Sequence, residues 1–222
     1  MAINNKDFVQ IEYTGMISES KEVFDTTDKA IAKKQGIFDE HAVFGPVTLC
    51  VGEGFVLKGL EERLIGKDVG EFEFEISPEE GFGKKSAKLI QLVPTSKFIK
   101  QEIMPMPGLQ INIDGLMGTV KTVTGGRTIV DFNHPLSGRS LHYNVKVIKV
   151  IHDEKEKAEA ILKWLFRLDA DLSLNEKTLT IKTASLPKEI EEEVSKKVKD
   201  LTSITTVVFE KKQAHKPVNT EA

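Results

Sequence analysis

Nucleophilic thiols, metal centres and phosphate-gripping loops announce themselves through residue type and spacing, and this chain offers thin material for each. Its one cysteine, Cys50, lies in the apolar run from Val47 to Val51 with no histidine near it in sequence. It reads as a small core residue rather than a thiolate nucleophile. The histidines His41, His134, His142, His152 and His215 do not fall at zinc-ligand spacing, so no metal and no cofactor is expected. Glu71, Glu73 and Glu75 alternate with Phe72, Phe74 and Ile76, which puts the carboxylates on the solvated face of a strand instead of in an acid–base pair. Gly52-Glu53-Gly54 and Gly81-Phe82-Gly83 lack the flanking pattern of a phosphate loop. What remains is apolar: Tyr13, Phe24, Leu57, Phe82 and Tyr143 stand at strand ends or at the start of a helix. Each has a core reading of its own, and their joint placement suits the wall of an apolar binding site.

The composition permits such a site and argues against several others. The 222 residues are 40% hydrophobic and 29% charged, with 31 basic and 34 acidic residues for a net charge of −3. This is an ordinary globular composition with no basic excess for nucleic acid. A single cysteine excludes an internal disulfide. No stretch approaches the ~20 apolar residues of a membrane span, and MAINNKDF does not begin a signal peptide. No membrane and no nucleic-acid partner is expected, and the cytoplasm is the expected compartment.

The elements that position these residues follow from periodicity. Val9, Ile11 and Tyr13 alternate with Gln10, Glu12 and Thr14, as in a half-buried strand. Residues 18–22 are a turn, Val23-Phe24-Asp25 is extended, and residues 26–46 read as mixed and loop-like. Val47, Leu49 and Val51 alternate again. Leu57, Leu60 and Leu64 recur at helical spacing, which predicts a helix of about three turns over 55–65 ended by Gly66. Strands follow at 72–76 and, after a gap, at 141–151. Between them residues 86–132 hold Met104, Met106 and Met117, the run Pro105-Met106-Pro107-Gly108, and β-like runs near 89–93, 116–124 and 127–132. Gly125-Gly126 reads as a hairpin turn. After Ile151 come an amphipathic helix over 153–168, a hairpin over 171–183 turning at Asn175-Glu176-Lys177, a helix opened by Pro187, and a strand from Ile204 to Phe209. The expected organisation is a discontinuous domain over 1–85 and 133–152, a small β-rich insert over 86–132, a C-terminal α+β domain over 153–212 and a flexible tail over 213–222.

Tyr13, Val23-Phe24-Asp25, VGEGFVLKGLEE (51–62), PEEGFG (78–83) and NHPLSGRSLHYNVKV (133–147) together resemble the FKBP-type peptidyl-prolyl cis–trans isomerases. Their order, spacing and inserted segment are similar to the SlyD-like branch with an insert-in-flap domain, and the added C-terminal module to its long archaeal members. The resemblance implies an α+β fold in which an antiparallel sheet wraps a short helix. It implies a proline pocket of Tyr13, Phe24, Asp25, Val47, Leu49, Val56, Leu57, Leu60, Phe82, Leu136 and Tyr143. Tyr13, Phe24, Asp25, Leu57, Phe82 and Tyr143 are its catalytic members, and Leu57 offers its backbone N–H to a substrate carbonyl. Leu60 stands where many members carry tryptophan, Phe82 where a tyrosine hydroxyl is common, Val47 where an aromatic is common and Tyr143 where phenylalanine is common. The first three differences imply weak binding of macrolide inhibitors.

A rotamase pocket of this kind needs no nucleophile. Rotation about the peptide bond costs about 18–20 kcal/mol because resonance must be broken, and the twisted state is less polar than the planar one, so an apolar wall favours it. The insert is expected to act as a folding chaperone, a holdase gripping unfolded, proline-containing polypeptides through Ile99, Met104, Met106, Leu109, Leu116 and Met117. Flexible methionines suit varied apolar sequences. The competing reading is a peptide-binding chaperone module with little or no isomerase activity. The C-terminal domain has two readings, pairing two chains into a homodimer or extending the chaperone surface.

Overall fold

The computed structural model describes residues 2–113 and 115–211, and the tail expected at 213–222 lies outside the described residues. Contacts divide the described residues into two compact units, one of residues 2–16, 22–74 and 142–211, the other of residues 17–21, 75–113 and 115–141.

The first unit is built on β1 (Phe8–Ile17), β2 (Val23–Thr26), β3 (Val47–Cys50), β4 (Gly70–Ile76) and β9 (Leu141–Ile151). These form a five-stranded sheet in the order β2-β1-β9-β4, with β3 pairing β1 off that path. β1 runs antiparallel to β2 and to β3. Alternation works as expected in β9, where Tyr143, Val145 and Val147 are buried and Asn144 and Lys146 are exposed. In β1 it fails at the start, because Phe8 and Val9 are both buried. The reason is α4 (Glu154–Leu165), which packs against β3 and extends Lys157 over the Phe8 ring.

α2 (Lys58–Leu64) is seven residues, shorter than the predicted span. Leu60 and Leu64 are buried on its inner face, whereas Leu57 is its N-cap and not part of the helical stripe. The segment read as loop-like over 26–46 contains α1 (Lys29–Gln35), whose N-cap Asp28 accepts from the Ala30 and Ile31 N–H groups at 2.7 and 3.0 Å and which ends at Gly36. Ala32 is its one buried residue, so it leaves no apolar stripe to read.

After α4 come β10 (Asp171–Asn175) and β11 (Thr178–Thr183), an antiparallel hairpin turned at Glu176-Lys177, then α5 (Lys188–Leu201) and β12 (Thr206–Lys211). β12 starts two residues later than expected and pairs parallel to β11, with α5 as the crossover. Val194 and Val198 on α5, Leu179 and Ile181 on β11, and Ala158, Ile161 and Leu162 on α4 are buried. The described helices include none long and apolar enough to cross a membrane.

The second unit holds a four-stranded sheet ordered β5-β8-β7-β6, from β5 (Ile90–Pro94), β6 (Gln110–Ile113), β7 (Leu116–Thr124) and β8 (Arg127–Asp131), with the short helix α3 (Thr95–Ile99). Three β-like runs were expected here. The fourth strand, β6, is short and pairs only with β7. Gly125 and Gly126 have φ of 54° and 76°, which the tight β7–β8 turn requires of both central residues. Phe98, Ile111, Val120 and Val130 form a small core with Val93, Ile103 and Leu109 packed around it. Both ends of this sheet are tied together. The Asn133 side chain accepts from the Ser86 N–H at 2.8 Å and donates to the Ser86 carbonyl at 3.1 Å and to Asp131 at 2.7 Å. Burial alone would raise the Asp131 pKa, but the Asn133 N–H groups and the charges of Lys85 and Lys121 outweigh it and hold the carboxyl below its ordinary range.

Candidate isomerase site

Three aromatic side chains meet on one face of the first unit's sheet. Tyr13 comes from β1, Phe24 from β2 and Tyr143 from β9. The Phe24 and Tyr143 rings meet edge to face at 5.8 Å, and Tyr13 and Tyr143 lie 6.0 Å apart with a tilt of 54°. The cluster closes over Gly15, which sits opposite Asp25 in the β1–β2 pairing. A Cβ at Gly15 would stand 2.8 Å from both the Phe24 and Tyr143 rings, so only glycine lets them meet.

Asp25 is the polar edge of this wall. Its exposed carboxylate accepts a 2.9 Å bond from the Tyr13 phenol. Burial, the Asp25 charge, the bond to Asp25 and the neighbouring Tyr143 push the Tyr13 phenol well above the usual tyrosine value. Burial and then the Asp25 charge do the same for Tyr143. Both phenols therefore stay neutral well past the ordinary tyrosine range, and that of Tyr13 donates to Asp25.

Val47 and Leu49 of β3, which pair with Ile11 and Val9 of β1, and Leu60 of α2 are buried, Leu49 and Leu60 being 1% exposed. Val56 and Leu57 are half-buried, and among the described residues the Leu57 N–H meets no acceptor. As the N-cap of α2, Leu57 has no intrahelical acceptor for this N–H, and the turn before it is braced by Glu61, a residue that sequence reasoning missed. Glu61 is 2% exposed, and its carboxylate accepts from the N–H groups of Gly52, Gly54 and Val56 at 2.9, 3.1 and 3.0 Å. These bonds fold residues 52–56 into a loop and stop the helix from starting at Phe55. The available signal was a carboxylate directly after Leu60 on the inner side of a helix that follows a glycine-rich turn.

Phe82 and Leu136 belong to the second unit. The Phe82 ring stacks on His134 at 4.2 Å and 2°, and its carbonyl accepts from the Ser137 hydroxyl at 3.0 Å. Leu136 is half-buried and donates its N–H to His134 Nδ1 at 3.2 Å. The insert residues sort cleanly. Ile99, Met104, Met106, Leu116 and Met117 are exposed, Met104 by 82%, whereas Leu109 is half-buried and packs against the small core of Phe98, Ile111, Val120 and Val130. An open groove of about 790 Å³ borders these rings in the first unit: Tyr13 lines it together with Glu12, Thr14, Lys29, Phe44, Asn144 and Lys146. It includes neither Phe24 nor Tyr143.

A family profile described as FKBP-type peptidyl-prolyl cis-trans isomerase matches residues 1–99, and one described as FKBP26, IF domain, matches residues 91–136. The short-type peptidyl-prolyl cis-trans isomerase of Methanocaldococcus jannaschii is 32% identical over 155 residues, 69% of this chain and 98% of the relative. The probable FKBP-type 16 kDa peptidyl-prolyl cis-trans isomerase of Pseudomonas fluorescens is 33% identical over 111 residues, 47% of this chain and 73% of the relative. The FKBP-type peptidyl-prolyl cis-trans isomerase SlyD of Haemophilus influenzae is 34% identical over 117 residues, 50% of this chain and 61% of the relative.

Proposed function

The chain belongs to the FKBP-type peptidyl-prolyl cis–trans isomerases, and we propose that it turns Xaa-Pro bonds against the wall of Tyr13, Phe24 and Tyr143 while its insert holds the unfolded client. The observation that carries this reading is the convergence of those three rings around Gly15, with Asp25 at their edge. The donor proposed for the carbonyl before the proline is the Leu57 N–H, which meets no acceptor among the described residues. The two isomers of Xaa-Pro differ by only about 0.5–1 kcal/mol, so the enzyme's task is the barrier. The wall is dry and weakly polar, and it favours the twisted amide over the strongly dipolar planar one. The neutral phenols add no charge that would favour the planar state.

In this proposal residues 1–85 and 133–152 form the catalytic domain, with Val47, Leu49, Val56 and Leu60 shaping the pocket. Residues 86–132 are the chaperone part. The exposed Ile99, Met104, Met106, Leu116 and Met117 support a holdase surface, since a core of four fully buried residues is complete without them. Weak grip at a second site raises the local concentration of client prolines at the first. The C-terminal domain pairs two chains through β12, which is an edge strand and carries Val208 at 41% exposure. Sedimentation of the full chain against a version ending at Ile151 tests the pairing, and monomers in both would end it.

The deciding experiment for catalysis is a protease-free isomerisation assay on a short Xaa-Pro peptide. The expected result is a rate that rises linearly with enzyme concentration. A rate equal to that in buffer alone would overturn the isomerase reading.

A further inference from the structure

The loop of residues 52–56 is held from more than one side. From below, Glu61 takes three of its N–H groups. Two of the loop's own side chains turn the other way, toward the C-terminal domain. Phe55, 8% exposed, meets Phe8 edge to face at 6.4 Å, and Lys157 of α4 lies over that same Phe8 ring. Glu53 receives a 2.5 Å charge-assisted bond from Lys197 on α5, a residue 144 positions further along the chain. The Glu53 side chain is 15% exposed and that of Lys197 38%, so the pair is partly withdrawn from water.

We propose that Lys197 is a positioning residue for the isomerase reaction: through Glu53 it fixes the loop that presents the Leu57 N–H, and the C-terminal domain thereby sets the catalytic competence of the pocket. The inference rests on reading residues 52–57 as part of the isomerase site. Lys197 touches no substrate. Glu61 bonds only to main-chain N–H groups and fixes the loop's path at Gly52, Gly54 and Val56, on either side of Glu53. The lysine supplies the missing restraint at that residue, and the Phe8–Phe55 contact supplies one at the next side chain. A donor that must meet a substrate carbonyl within hydrogen-bond distance loses effect when its loop is free to shift.

The test measures kcat/KM on a short Xaa-Pro peptide with the full chain. Lys197→Ala is expected to lower it about three- to fivefold, the range that a partly exposed charge pair can transmit. Lys197→Arg keeps the charge and should stay within about twofold of the unaltered chain. Glu53→Lys and Lys197→Glu should each be as low as Lys197→Ala, and the two together should restore the rate. Unfolding midpoints of the variants report on folding separately. Full activity in Lys197→Ala overturns the proposal. So does a loss that neither Lys197→Arg nor the reversed pair restores, which would assign Lys197 to general packing. An unaltered chain no faster than buffer would instead remove the isomerase reading on which the proposal stands.

Discussion

The Tyr13 phenol and the Asp25 carboxylate are joined by a 2.9 Å hydrogen bond between adjacent antiparallel strands. The bond aims the carboxylate along the rim of the aromatic wall and keeps the phenol protonated. It ties the exposed Asp25 carboxylate to the aromatic cluster.

The chain has two tyrosines, and both have phenol pKa values raised by burial and by the Asp25 charge. The unfolded chain releases these protons near the ordinary value of about 10, while the folded chain keeps them. Above that pH the unfolded state binds fewer protons than the folded one, so stability is whole below it and falls as pH rises. Ultraviolet titration should show phenolate only as the protein unfolds, and Tyr13→Phe should flatten the alkaline loss. Phenolate absorbance in the folded protein near the ordinary value would contradict the buried cluster.

Glu61 holds three main-chain donors at 2% exposure. Glu61→Ala strands those N–H groups and should cost about 2–3 kcal/mol, the scale of bonds to a buried charge. Denaturant unfolding measures the loss. Isomerase activity should fall under conditions where the variant is still folded, because the donor at Leu57 loses its support. Unchanged stability would show that the carboxylate is not what shapes the loop.

Burial, and then the charges of Glu53 and Glu61, push the Cys50 thiol up to about 12. A thiol reagent at mildly alkaline pH should therefore react with the unfolded chain and leave the folded chain untouched. Fast labelling without loss of structure would mean that β3 is open to solvent.

Met104 is 82% exposed and Met106 57%. Replacing both with serine should shift stability by no more than about 0.5 kcal/mol, as expected of surface positions. Suppression of aggregation should weaken in the same variant. Deleting residues 86–132 and closing the gap with a short loop should spare peptide isomerisation while catalysis of protein refolding drops. Equal refolding activity in the deletion variant would detach the insert from client binding.

Most sheet strands and α4, α5 were legible because each leaves a period in the sequence, whereas the four-residue β6, with one buried side chain, was too short to do so. Tyr13, Phe24 and Tyr143 could be named from motifs, but the glycine that permits their contact could not, since the rings that crowd it come from two other strands. α1 left no signal because its start depends on a cap at Asp28 and not on an apolar face. Glu61 was hidden for the opposite reason. A buried carboxylate looks like one more charged helix residue until the main-chain donors around it are located. The double burial of Phe8 and Val9 likewise needed a helix from another part of the chain.

Asn133 bridges to Ser86 on both main-chain atoms while β5 and β8 run antiparallel beside it. The outgoing and returning backbones are thus pinned at a common point just outside β5 and β8. Chain ends cut on either side of that point would already lie together, so a splice there would need to be no longer than a hairpin turn, with the asparagine as its clip.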